Sequence, residues 1–342
     1  MLRTNTLTEN KEVLDLESKP LMHLIIRASD IALKSHDYNI TQARSANLRF
    51  NDDAGLTFIS DESSEIKELP VSRYALGQLS TKIGVPVSYV SKCLSSGRIE
   101  LAKDNINSWL EDFNKDLLIR EYDGKVRGVL SNKYSVCDSH EILKAVDEAV
   151  DLKQYDIKGS FLNEERLHVR FINKSRLHIS GEDLFTGLFL DSSDVGRNVL
   201  TVRFGIYKQV CTNGLVISRA GGTLFEQKHI GITSEEFFEG LVKSLKNVDL
   251  LTQHAEEWVK YAKQMRNHFS IKDEDDIQKF IEYIRKQTNL SERSAHKVID
   301  LMSTKYDNSK WGLINGITEV AQDYTLERRL ELERMAGLLL VA

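Results

Sequence analysis

Apolar residues fall at helical spacing at Leu21, Leu24, Ile25, Ile31 and Leu33, which predicts a helix over residues 21–36. The segments 46–50 and 56–59 then read as strands joined by the Asn/Asp/Gly-rich turn 51–55. Helical patterning returns over 73–80, 87–94 and 103–113, with Gly84, Val85 and Pro86 breaking the first two apart. At 116–122 and 125–130 the period changes to two. Asp123-Gly124 lies between these runs, which predicts a two-residue hairpin. Residues 139–151 are amphipathic, with Ser139 expected as the N-cap and Glu141 in the first turn.

Alternation is clearest in the middle of the chain. Residues 157–162 and 166–172 read as paired strands around an Asn-Glu-Glu turn, and 184–190 and 198–207 as a second pair around Asp191-Ser192-Ser193-Asp194. Two shorter strands or loops follow at 210–217 and 220–225. From Ser234, a cap-like residue followed by two acids, the chain reads as helix, with segments at 237–269 (with one or two breaks), 275–287, 292–303 and 317–336. No repeat of 20–50 residues appears. The expected fold is α+β: an antiparallel sheet core, a helical-hairpin insertion at 71–113 and an all-helical C-terminal region. The expected divisions are a leader at 1–20, a core at 21–233 and helices at 234–342.

Composition narrows the function without naming it. With 342 residues, 41% hydrophobic and 28% charged, the chain can bury a large core and is not intrinsically disordered as a whole. The net charge of −5 argues against bulk electrostatic attraction to nucleic acid. A mildly basic middle remains: residues 151–230 hold 11 Lys and Arg against 9 Asp and Glu, whereas residues 1–150 hold 19 against 23. The three cysteines, Cys93, Cys137 and Cys211, are scattered, with no CxxC and no metal-ligand spacing. They read as reduced thiols of a cytoplasmic protein. No signal peptide and no apolar run of membrane-spanning length is visible, and no metal or cofactor is expected.

Catalytic signatures are missing as well: there is no GxGxxG, GxxxxGK[ST], GxSxG or HExxH. His168, His178, Glu164 and Glu165 are ordinary strand and turn residues by spacing, so no enzyme is assigned. Residues 78–94 have the outline of a helix-turn-helix. Gly84 takes the turn, Leu79, Ile83 and Val85 point inward, and Val90 and Leu94 anchor the second helix. Ser88, Tyr89, Ser91 and Lys92 would face a major groove. Ser80 and Pro86 depart from the usual pattern, and a plain helical hairpin packed on the 116–130 hairpin is the favoured reading of these residues. A second signal is the interleaving of cations with aromatic residues on strands. Arg127, Lys133, Arg170, Arg203, Lys208 and Arg219 are candidate phosphate contacts, with Tyr134 and Tyr207 as stacking partners for bases. The competing view is an amphipathic sheet with its polar side in water. Trp258, Tyr261, Met265 and Phe269 form an apolar stripe expected in a core or a subunit interface.

Several runs carry a family resemblance: 105–110, 117–120, 127–134, 196–204 and 210–215, of which Gly128-Val-Leu-Ser-Asn-Lys-Tyr134 and Val210-Cys-Thr-Asn-Gly-Leu215 are the most specific. Over residues 70–260 the chain resembles the DUF932 family, phage- and plasmid-like proteins of uncharacterised function. The resemblance implies a mobile-element product acting near replication or recombination and brings no catalytic residues. The expectation is a non-catalytic nucleic-acid-binding protein that prefers single-stranded DNA and forms a homo-oligomer. The alternatives are an effector that engages a host replication or anti-phage defence complex through its helical third, and an enzyme without a recognised motif.

Overall fold

Asp123 and Gly124 both take positive φ, 48° and 77°, the twist a two-residue hairpin requires. They join β5 (Lys115–Tyr122) to β6 (Lys125–Ser131), and β1 (Ser35–Ala43) adds antiparallel to β5. A second small sheet is made by β2 (Leu48–Phe50), β3 (Gly55–Ile59) and β4 (Ile66–Pro70). The structure is a computed structural model that describes residues 21–341 apart from 44–45, 63–64, 180, 209–212, 217–222 and 247. Arg219, Cys211 and much of the 210–225 region lie outside the described residues.

Three helices, α2 (Arg73–Lys82), α3 (Val87–Ser95) and α4 (Ile99–Glu111), share one core with these two sheets, built on Leu79, Val90, Ile106, Phe50, Phe58 and Ile119. The central sheet is antiparallel, ordered β7 (Tyr155–Leu162), β8 (Leu167–Ile179), β9 (Glu182–Ser192) and β10 (Leu200–Lys208). Both β11 (Asn213–Val216) and β12 (Thr223–Gln227) pair with β10. Across this sheet Arg170 pairs with Phe189, and Phe189 with Arg203, so these side chains share one face. Strands β8 and β9 approach closely at Gly187, where an added Cβ would lie 2.6 Å from the Phe171 carbonyl oxygen.

One apolar side of the sheet is covered by α1 (Leu21–Leu33), α5 (Ser139–Ala149) and α6 (Ser234–Leu245). A third core joins the sheet's Leu184, Phe204 and Ile206 to α7 (Val248–Gln264), α8 (Glu274–Thr288), α9 (Glu292–Thr304), α10 (Lys310–Val320) and α11 (Leu326–Val341). The architecture is α+β, as the patterning implies. Two caps shift by one residue: Asp138 rather than Ser139 precedes α5, and Thr233 rather than Ser234 caps α6 by accepting from Glu236 N. The single helix expected at 317–336 is instead two, separated at 321–325. The stripe at Trp258 also divides. Trp258 and Phe269 pack on the core, Tyr261 faces solvent, and α7 ends before Met265.

Candidate nucleic-acid interface

Helix α2 is held against the hairpin at both ends of its inner face. Ser72 caps it by accepting from Ala75 N. The Ser72 N–H donates to the Val126 carbonyl at 2.8 Å. Gln78 accepts from Val129 N at 2.9 Å and donates to the Val195 carbonyl at 2.8 Å. The expected packing of the helical hairpin on the 116–130 hairpin is therefore present. The turn is equally well formed. Gly84 sits at φ 79°, and Val85 N donates to the Ser80 carbonyl. Ser80 is fully buried, and its hydroxyl is satisfied by the Leu76 carbonyl at 2.8 Å, which explains how serine replaces the usual small apolar residue. Pro86 is the N-cap residue of α3 rather than its first helical residue.

The second helix is anchored by Val90 and Cys93; Leu94, the expected anchor, is only half-buried. Ser88 and Lys92 are exposed and Ser91 is half-buried. Tyr89 does not project freely, because its hydroxyl accepts from Asn105 Nδ2 at 3.2 Å and ties α3 to α4. The window 71–99 contains Arg73, Lys82, Lys92 and Arg98 and no Asp or Glu. Arg73 and Arg98 are exposed, and Lys82 lies beside Lys115. The regional count over residues 1–150 averages this window away, so Arg73, Lys82 and Arg98 were not among the expected contact residues.

The strand residues have a different environment. Arg127, Tyr134, Arg170 and Tyr207 are buried, and Arg203 and Lys208 are largely enclosed in ion pairs; of the described candidates on and beside the strands only Lys133 stands in solvent. The expected solvent-facing polar side of the sheet is thus an interior seam. Arg120 opens it, donating to Asp37 at 2.8 Å and to the Asp194 carbonyl at 2.6 Å, with Asp138 at 2.9 Å. Arg127 reaches the Glu164 carbonyl and lies 3.5 Å from Asp194. Tyr134 donates to the Ser193 carbonyl at 2.9 Å, and burial pushes its phenol far up. Further along, Arg197 bridges Glu165 and Glu327, and Arg166 lies 3.6 Å from Asp191. Arg170 pairs with Glu333 of α11 at 2.7 Å and lies over the Phe189 ring at 5.5 Å. Because Arg170 Nε can only donate, His168 Nε2 accepts its bond, and His168 Nδ1–H donates to Asp191 at 2.9 Å. Burial would raise the Asp191 carboxyl, but His168, Arg166 and Arg203 outweigh it and hold it well below the usual carboxylate range. Arg203 lies 3.6 Å from Asp191, and Lys208 pairs with Glu182 at 3.0 Å.

His229 marks where the β12–α6 loop latches onto the segment after β6. Its ring stacks on Tyr134 at 5.2 Å and lies 5.0 Å from Phe237, and its carbonyl accepts from Ser135 N. Burial, reinforced by Arg120, pushes its imidazole from the ordinary 6.5 down to about 4. Between those values the unfolded chain binds the extra proton. Stability from neutral His229 is therefore full above about pH 6.5 and is lost as pH falls toward 4, by about 3 kcal/mol at the limit. His229→Phe should flatten the urea-midpoint profile between pH 6.5 and 4; an unchanged slope would show that other groups set acid sensitivity. Cys137, also buried, has its thiol pushed up to about 11, chiefly by desolvation. Among the described residues, no group of His, Cys, Asp and Glu is arranged to hold a metal ion, and no helix is long and apolar enough to cross a membrane.

These features define an α+β protein in which a helical hairpin rides on a small sheet and an ionic seam joins that lobe to a central sheet and a helical region. Residues 126–337 match the family model described as a domain of unknown function, DUF932, and the chain belongs to that family. The match takes in the C-terminal helices, which lay outside the resemblance read over 70–260, and begins after the α2–α3 unit. No curated protein and no solved structure matches the chain.

Proposed function

We propose that this chain is a non-catalytic nucleic-acid-binding protein whose contact surface is the α2–α3 unit. One observation carries the reading: in a chain of net charge −5, the 71–99 window that forms the helix-turn-helix presents cations and hydroxyls and has no carboxylate. Helix α2 spends its inner face on the hairpin, which leaves Ser88 and Lys92 of α3 turned outward. Phosphate contacts from Lys92 and Arg98 would supply the salt-dependent part of binding. The family resemblance is consistent with a role in replication or recombination of a phage or related element.

A single-strand mode is the second reading. It is favoured by Arg170, Arg203, Phe189 and Tyr207 on one sheet face, and it requires α11 to leave Arg170. Fluorescence anisotropy with a labelled duplex and its single strand, across a salt series, separates the two. The first reading expects duplex preference and, in Lys92→Ala with Arg98→Ala, a salt slope reduced by roughly two. Single-strand preference, with the slope unchanged in that variant, would move the site to the sheet. Absence of binding at low salt would overturn both and favour a protein partner for the helical region.

A further inference from the structure

Helix α1 carries large apolar residues on two sides. Leu24, Ile25, Ala28 and Ile31 enter the core beside α5. Met22, Ile26 and Leu33 do not: they are 61%, 61% and 83% exposed. With the small, half-buried Ser29 they form a line at steps of four, three and four residues, the spacing of a helix-pairing seam. A serine fits such a seam, because its side chain is short and its hydroxyl can turn back to the carbonyl four residues earlier in the helix. His23, Arg27, Asp30 and Lys34 run along one edge of this line.

We propose that α1 pairs antiparallel with α1 of a second copy of this chain. The pairing does not depend on the nucleic-acid reading. Centring the two-fold axis between Arg27 and Ala28 sets Met22 against the partner's Leu33 and Ile26 against the partner's Ser29, so a large residue meets a small one at the middle. The same register carries Asp30 between the partner's His23 and the partner's Arg27. By symmetry the partner's Asp30 meets Arg27, giving two complementary pairs across one edge. Asp30 is free to be shared, because its pair with Lys34 at 3.0 Å is exposed on both sides. The seam is about 16 Å long at 1.5 Å per residue. One helix pair is smaller than a standard stable interface, so the dimer is weak, with a dissociation constant in the micromolar range.

Sedimentation velocity of the full chain over a concentration series tests this. The wild type should shift from monomer to dimer across the micromolar range. Ile26→Glu should remain monomeric with an unchanged circular dichroism spectrum, and Ile26→Ala with Leu33→Ala, which adds no charge, should weaken the dimer at least about tenfold. Arg27→Asp should weaken it, and adding Asp30→Arg should restore it. A wild type that stays monomeric, or a dimer indifferent to Ile26→Glu, would overturn the pairing. So would a chain that dimerises through Ile26 only after residues 1–19 are removed, since its own leader would then be the occupant of the seam.

Discussion

Glu333→Leu should destabilise the protein by about 3–5 kcal/mol, and adding Arg170→Met should recover part of that loss. Glu333 and Arg170 are both fully buried and lie 2.7 Å apart. Glu333 also accepts from Arg329 Nε at 3.0 Å, so one carboxylate serves two guanidinium groups. Removing it strands a fully buried cation, and Arg170 already has one buried nitrogen, Nη1, without a hydrogen-bond partner. Burial works against the charge on Arg170, and Glu333 is the main group that offsets it. In the double variant the Arg170 charge is gone and two apolar side chains of similar length fill the space, while Arg329, itself buried, loses its contact with the Glu333 carboxylate. Arg170→Met alone should cost less than Glu333→Leu, because Arg329 still pairs with the carboxylate. Urea unfolding of the four proteins, compared as a double-mutant cycle, reads the coupling directly. Equal losses for both single changes and strict additivity would show that the pair acts only as packing.

The second large effect belongs to Arg120. It donates to Asp37 of β1 and to the loop after β9, and it lies beside Asp138 at the head of α5, so one side chain ties three parts of the fold. Arg120→Met should cost about 3–5 kcal/mol near neutral pH. Three carboxylates would then face each other with Arg127 as the remaining buried cation, and burial beside Asp138 already raises the Asp194 carboxyl. The loss should shrink as pH falls, because protonation relieves the stranded carboxylates. Arg120→Lys should rescue poorly, since a single ammonium cannot reproduce three divergent contacts. Tryptophan fluorescence provides the test. Trp109 reports on the α2–α4 lobe and Trp258 and Trp311 on the helical region. Separate transitions in Arg120→Met, against one transition in the wild type, would show that this residue couples the lobes; a single unshifted transition would refute it.

Much of the architecture is legible in local pattern. The Asp123-Gly124 hairpin, the long alternating strands β7 to β10 and the breaks around α2 and α3 follow from turn chemistry and hydrophobic period. Helix α10 escapes such reading, because residues 311–318 are buried on all sides and leave no polar stripe to reveal the period. Strand β4 escapes it too, being a five-residue edge of mixed polarity.

Local sequence thus determined most of the helices and strands, where many of them turn and that α2 and α3 form a helical hairpin with a helix-turn-helix outline, because each of these depends on neighbours within a few residues. It also determined that His168 and Arg170 share a side of β8, since a strand alternates with period two. Whether that side meets water or another element depends on what packs over it. Glu333 lies 163 residues from Arg170 in the chain, and no local pattern records that distance. Tertiary structure alone decided that Arg170 and Arg203 of the central sheet meet carboxylates inside the protein, while Arg73, Lys92 and Arg98 of the 71–99 window remain at its surface.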